Sequence, residues 1–253
     1  MADQTTPVAR NLKRIGRLDI PGGGQVVVDG DYAYVGQMAP PHGTTIIDIS
    51  DSSNPKVVST IDLKDGYSHT HKARVVGDLL YTNFEQYDRH TLRRGDTLGD
   101  DHERLAGELG HDPSDAELSA DIGFAVDTIA KLDAARERGY ADGGFRIFDI
   151  FDKAKPKLIK HQKTFGFGVH RFDVDENYAY MATEMEGYIS NILVIYDVKD
   201  PSNPTEVSRV GTYQVNIWPV ARNRPGIAIK TDSITRSGSA MKCGRRSGMP
   251  VSG

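Results

Sequence analysis

The run 194-VIYDVKDPSNP-204 decides the fold, because it occurs three times. Its counterparts are 45-TIIDISDSSNP-55 and 146-RIFDIFDKAKP-156. In each, an apolar run ends in an Asp (Asp48, Asp149, Asp197). A second Asp lies three residues on (Asp51, Asp152, Asp200) and a Pro seven on (Pro55, Pro156, Pro204). An Asp side chain can bond nearby backbone N–H groups and so hold a turn, and Pro interrupts strand pairing. The segment therefore reads as strand, turn, strand. The strand after the turn is 56-KVVSTIDL-63, 157-KLIKHQK-163 or 205-TEVSRV-210.

A hairpin precedes each of these runs. The three segments 24-GQVVVDGDYAYVGQM-38, 71-HKARVVGDLLYTNFE-85 and 170-HRFDVDENYAYMATE-184 align on Tyr34, Tyr81 and Tyr180. Each alternates apolar and polar residues around a Gly-Asp or Glu-Asn turn, the sequence sign of a hairpin. Four antiparallel strands per unit, repeated, predict an all-β fold: a partial β-propeller of about three four-stranded blades. The blades are expected over residues 17–209, after an N-terminal extension at 1–16.

Between Tyr87 and Asp142 the pattern breaks, and residues 88–142 read as a helical insertion inside the second blade. Ser114 or Asp115 is a plausible N-cap. Apolar residues recur at Leu118, Ile122, Ala125, Ile129 and Leu132, and Gly139 can close the helix. At least one long helix is expected there, with residues 88–112 as a polar loop. The insertion joins the second and third strands of its blade, so it emerges at one rim, as either a surface elaboration or a lid.

His71 lies ten residues before Tyr81, and His170 ten before Tyr180; the first unit has Gly24 at that position. This is the start of the innermost strand of a blade, so two blades aim a histidine at one channel mouth. Folding about Gly77-Asp78 brings Glu85 near His71, and folding about Glu176-Asn177 brings Glu184 near His170. Imidazoles and carboxylates together suit a divalent transition metal such as zinc, iron, copper or manganese. The candidate metal residues are His71, His170, Glu85, Glu184 and His69, with His42 as a further rim ligand. In the competing reading these are polar residues of a wet channel. His90, His102, His111 and His161 follow no repeat position and are expected to be exposed or locally bonded.

IIDISDSSNP and VIYDVKDPSNP resemble the LVIVD repeat family of bacterial β-propellers, over most of residues 17–209 apart from the insertion. That resemblance implies the fold and not an activity, because propellers host many functions. His71, His170 and the Gly143-Gly144-Phe145 run also distantly resemble the selenium-binding protein and methanethiol oxidase family, which admits a metal-dependent, oxidase-like enzyme. The rival is a non-catalytic scaffold. The expected partner at the rim is a small-molecule ligand or another protein, with neither nucleic acid nor membrane. No Ser-His-Asp spacing or phosphate-binding glycine loop occurs, and the glycines at 22–24 open a strand, not a helix.

The 253-residue chain carries a net charge of −4 and a single cysteine, Cys243, which fits a cytoplasmic protein. No run of about 18 apolar residues occurs, and the N-terminus lacks the apolar core of a secretory signal. Residues 210–253 form a non-repeat tail. Its last part, 221–253, holds seven Lys or Arg against one acid, Asp232. Read one base earlier, codons for the stretch from Asp232 onward permit HHALRVGDEMW, which overlays 71-HKARVVGDLLY-81. The expectation is a chain whose residues after about Arg209 are out of frame, with the blades a fragment of a larger ring and poorly soluble alone.

Overall fold

In a computed structural model, residues 11–87, 89, 97–185, 188 and 190–211 are described. The tail from 212 onward and His90 lie outside them. The fold is a partial β-propeller of three antiparallel blades. The first comprises β1 (Gly23–Asp29), β2 (Tyr32–Gln37), β3 (Thr44–Asp48) and β4 (Lys56–Ile61), adjacent in that order. In the second, the innermost strand is split into β5 (Ser68–His69) and β6 (Ala73–Val76). Both pair with β7 (Leu79–Gln86), which is followed by β8 (Gly144–Asp149) and β9 (Lys157–Lys163). The third comprises β10 (Val169–Val174), β11 (Tyr178–Glu184), β12 (Asn191–Asp197) and β13 (Thr205–Val210).

The repeated Asp turn forms the same bonds in every blade. Asp48, Asp149 and Asp197 each accept the backbone N–H two residues on, from Ser50, Phe151 and Lys199, at 2.9–3.0 Å. Asp51, Asp152 and Asp200 do the same for Ser53, Ala154 and Ser202. These bonds favour the ionised side chain. With serine or lysine side-chain bonds added, the carboxyls of Asp48, Asp51, Asp197 and Asp200 are held below the ordinary carboxylate value. The turn also closes on the hairpin before it: Ile49, Ile150 and Val198 donate their N–H groups to the carbonyls of Asp31, Asp78 and Asn177.

Alternation along the strands puts one apolar face of each blade against the next. Tyr34 and Ile46 of the first blade meet Ala73, Leu80, Phe148 and Ile150 of the second. Tyr81, Phe145 and Ile147 of the second meet Val169, Phe172, Met181, Val194 and Tyr196 of the third. Full burial of each large apolar side chain contributes about 1.5–3 kcal/mol over exposure, so these two seams dominate the stability. Leu18 and Ile20 cover the other face of the first blade.

The insertion corrects one expectation. Among its described residues it holds three helices: α1 (Leu98–Leu109), α2 (Asp115–Ile122) and α3 (Val126–Arg138). Ser114 caps α2 through a reciprocal capping box with Glu117. The apolar run from Leu118 to Leu132 is divided at Gly123, whose left-handed conformation (φ 75°) lets its N–H bond the Ser119 carbonyl. Helix α1 occupies what reads in sequence as a polar loop. Its apolar residues Leu98 and Leu105 are seven apart and pack with Leu118, Ile129 and Leu132, a stripe too sparse to register against its polar surroundings. The bundle docks on the second blade where Arg138 lies over the Tyr67 ring, 3.8 Å away, and the Tyr140 and Ser68 hydroxyls are hydrogen-bonded at 2.8 Å.

Candidate functional site

Each blade carries a β-bulge at the same place on its innermost strand. In the first blade β1 advances three residues, from Gly23 to Val26, while β2 advances two. In the second, the inner strand advances four, from His69 to Ala73, while β7 advances three. In the third, β10 advances two, from Val169 to Arg171, while β11 advances one. His71 and His170 are the bulged residues, and a bulge re-aims its side chain off the regular pleat. The two rings converge to 5.4 Å between centroids, and His69 and His71 to 4.4 Å. In the first blade the position is glycine for a steric reason. A Cβ on Gly24 meets the His71 carbonyl oxygen at 2.7 Å, and the Gln25 N–H bonds that same oxygen.

Glu85, 1 % exposed, is the point of convergence. It lies near the end of β7, opposite His69 in the ladder, and bridges Gly168 of the third blade on its other side. Its Oε2 lies 3.1 Å from His69 Nε2, 3.0 Å from His170 Nδ1 and 3.8 Å from His71 Nδ1. Its Oε1 is ion-paired with Arg89 at 2.8 Å. Burial by itself raises the Glu85 pKa, but His69 and His170 within hydrogen-bond distance, with the nearby cations, outweigh it and hold the carboxyl below its ordinary value.

The imidazoles are held differently. His69 Nδ1 lies 3.0 Å from the Met38 carbonyl, an acceptor only, so Nδ1 carries the proton. In neutral His69 the Nε2 that faces Glu85 is then a bare lone pair. His71 Nδ1 accepts from the Asn83 amide at 3.1 Å, and that amide is oriented by its bonds to the Lys72 N–H and the Val169 carbonyl. His71 Nε2 touches the Lys72 ammonium. Burial, with His69 and Lys72 adding to it, pushes His71 down to about 3. Burial also lowers His170, against the upward pull of Glu85. Both are neutral at pH 7, the state in which imidazole ligates metals.

One ligand atom each from His69, His71 and Glu85 lies within 4.8 Å of the others. Among the described residues these three are the group that could hold a metal ion. His170 joins them through Glu85. Of the other sequence candidates, Glu184 lies at the end of β11, opposite Asn191, with Arg89 4.0 Å from its Oε1. His42 is half-buried outside the converging group. His161 is not simply exposed: it packs edge-on against the Phe84 ring at 4.9 Å, and burial lowers its pKa. His102 and His111 bond locally to Asp112.

Sequence reasoning missed Asn83, Lys72, Arg89 and Arg171. The first sits beside Phe84-Glu85 in the strand, and the cations had no repeat signal except that Lys72 and Arg171 each follow a repeat histidine. Together with the three histidines, Glu85, Met38 and Tyr87, the three cations line a cleft of about 420 Å³.

Among the described residues no helix is long and apolar enough to cross a membrane. No curated protein matches the chain. The LVIVD repeat family matches residues 23–62 and 169–212, which hold the first and third blades. The middle blade forms the same turn bonds and the same bulge around its helical insertion. The chain thus carries LVIVD repeats in its first and third blades, and its blades are of the propeller type.

Proposed function

We propose that the chain binds a divalent transition metal at the inner ends of its second and third blades, through His69, His71 and Glu85, with His170 as a fourth ligand. One observation carries the reading. In the neutral form of His69 the one ring proton is committed to the Met38 carbonyl, and the Nε2 lone pair then faces a buried carboxylate oxygen at 3.1 Å. Two acceptors at that distance repel unless a cation lies between them. A ligating histidine typically donates its other ring N–H to a carbonyl, as His69 does. Metal bonds of about 2.0–2.2 Å draw the ligand atoms somewhat closer than they stand here, and His71 gives up its Asn83 bond to join them.

A metal held there supplies Lewis acidity, and the cleft beside it has room for a small molecule. An oxidase-like reaction, as in the selenium-binding and methanethiol oxidase propellers, is a further step that rests on resemblance alone. The test is zinc, copper, manganese and iron content after purification, with zinc titration of chelator-treated protein. The expected result is one ion per chain in wild type and loss of it in His69→Ala and in Glu85→Gln. An unchanged ion content in both variants would mean that a proton on His69, not a metal, resolves the repulsion, and that the rim is a binding scaffold.

A further inference from the structure

The cleft over the histidines adjoins a second one, of about 350 Å³, where Gln25 of the first blade and Lys72 and Arg74 of the second meet the third blade. The two share two lining residues, Lys72 and Arg171. Both clefts have the volume of small-ligand sites. These shared residues occupy one repeat position, directly after His71 and His170, so the bulge that turns the histidines inward carries a cation beside each.

The four cations around the two clefts divide cleanly. Arg89 is ion-paired with Glu85. Arg74 donates to Asp173 at 3.0 Å and to Gln25 at 2.8 Å. Lys72 and Arg171 have no carboxylate within ion-pair distance among the described residues. Lys72 is half-buried, and its ammonium touches only the neutral ring of His71. Arg171 is exposed at the cleft wall. The two like charges repel across the opening, and the remaining guanidinium donors match an oxyanion.

We infer that the joined clefts bind a small anionic molecule whose carboxylate or phosphate group sits between Lys72 and Arg171, with the rest of the molecule directed at the histidine cluster. This substrate class rests on the metal reading for its chemistry but not for its binding: the anion subsite uses neither histidine nor Glu85. Charge of one sign on a cleft wall also concentrates an oppositely charged ligand, an effect that fades as salt rises.

Calorimetric titration at low ionic strength tests it, with inorganic phosphate and malonate as separate probes, on zinc-loaded and chelator-treated protein. Lys72→Met and Arg171→Met are each expected to weaken the tighter-binding anion by about tenfold or more, the scale of one charge-assisted hydrogen bond. Arg171→Lys retains the charge and is expected to stay within a few-fold of wild type. Arg171 is exposed, so its replacement tests the subsite without threatening the fold. Phosphate binding alone identifies a phosphorylated ligand, and malonate alone a carboxylate. If neither anion binds wild type, or if Arg171→Met binds as wild type does, the subsite does not exist. Zinc binding without anion binding leaves the metal reading standing and sinks this one; anion binding without zinc does the reverse.

Discussion

Gly168→Ala tests how the third blade is held on the second and how that seam builds the site. Gly168 has φ +96° and bridges Glu85 across the seam. A Cβ there stands 2.3 Å from the Phe84 carbonyl oxygen and 2.8 Å from the Gly143 Cα, both backbone atoms that cannot swing aside. Relief requires a Cβ–oxygen distance of at least about 3.3 Å, so the seam opens by roughly 1 Å. The positive φ costs an alanine about 1–2 kcal/mol. Opening the seam also weakens the hydrogen bond from the Gln86 N–H to the Phe167 carbonyl, 2.8 Å long, worth about 1 kcal/mol. The expected loss is about 3 kcal/mol, which lowers Tm by roughly 6–12 °C for a unit of this size. The matched control is Gly77→Ala. Gly77 also has a positive φ, +57°, but nothing lies within 4 Å of its Cβ, so only the conformational cost of about 1 kcal/mol applies. His170 lies two residues beyond Gly168, so the same opening moves it off Glu85 and weakens zinc by about tenfold or more. Thermal melts and zinc titration of both variants are the assay. Equal melting temperatures for Gly168→Ala and Gly77→Ala, or an unchanged zinc affinity in Gly168→Ala, would refute this account of the seam.

Three further outcomes are expected. Zinc at about 1,000 times its Kd stabilises wild type by about 4 kcal/mol; Glu85→Gln, weakening zinc about 100-fold, retains only about 1.4 kcal/mol of that, so the zinc-induced rise in Tm shrinks by about two thirds, and an undiminished rise would remove Glu85 from the site. Asp48, Asp51, Asp197 and Asp200 have folded pKa values below the ordinary aspartate value of about 3.9. Their contribution is therefore fully present above that value and is lost as pH falls through the lower folded values, so Tm should decline below about pH 4, and Asp51→Asn with Asp200→Asn should flatten the decline. Ser114→Ala removes the capping box and weakens α2 by about 1 kcal/mol; amide exchange in α2 should quicken roughly fivefold, while exchange in the blade strands is unchanged.

The blades were legible in the chain because their signals are short-range. Alternation with period two, a tight polar turn and paired Asp caps are all decided within about a dozen residues, and the same bonds recur in all three copies. The capping box at Ser114 is equally local and equally readable. The break at Gly123 and the helix over Leu98–Leu109 were not, because glycine is tolerated inside a helix pattern and two buried leucines among polar residues make no clear stripe.

The site divides along the same line. Sequence by itself determined that histidines recur in register at the start of the inner strands and that acids lie at the far ends of the hairpins. Tertiary structure decided which of them meet. An extra residue in the second blade's inner strand shifts the pairing by one, so His69 rather than Thr70 stands opposite Glu85. Because side chains alternate along a strand, that single shift changes which ones share a face. The bulge turns His71 and His170 toward the same oxygen, and the Gly168 bridge sets the distance between blades. Asn83, Arg89 and the Met38 carbonyl then fix the protons and charges of the cluster from three separate stretches of chain. None of these is encoded by a local pattern, because each depends on which backbone lies beside it after the blades have packed.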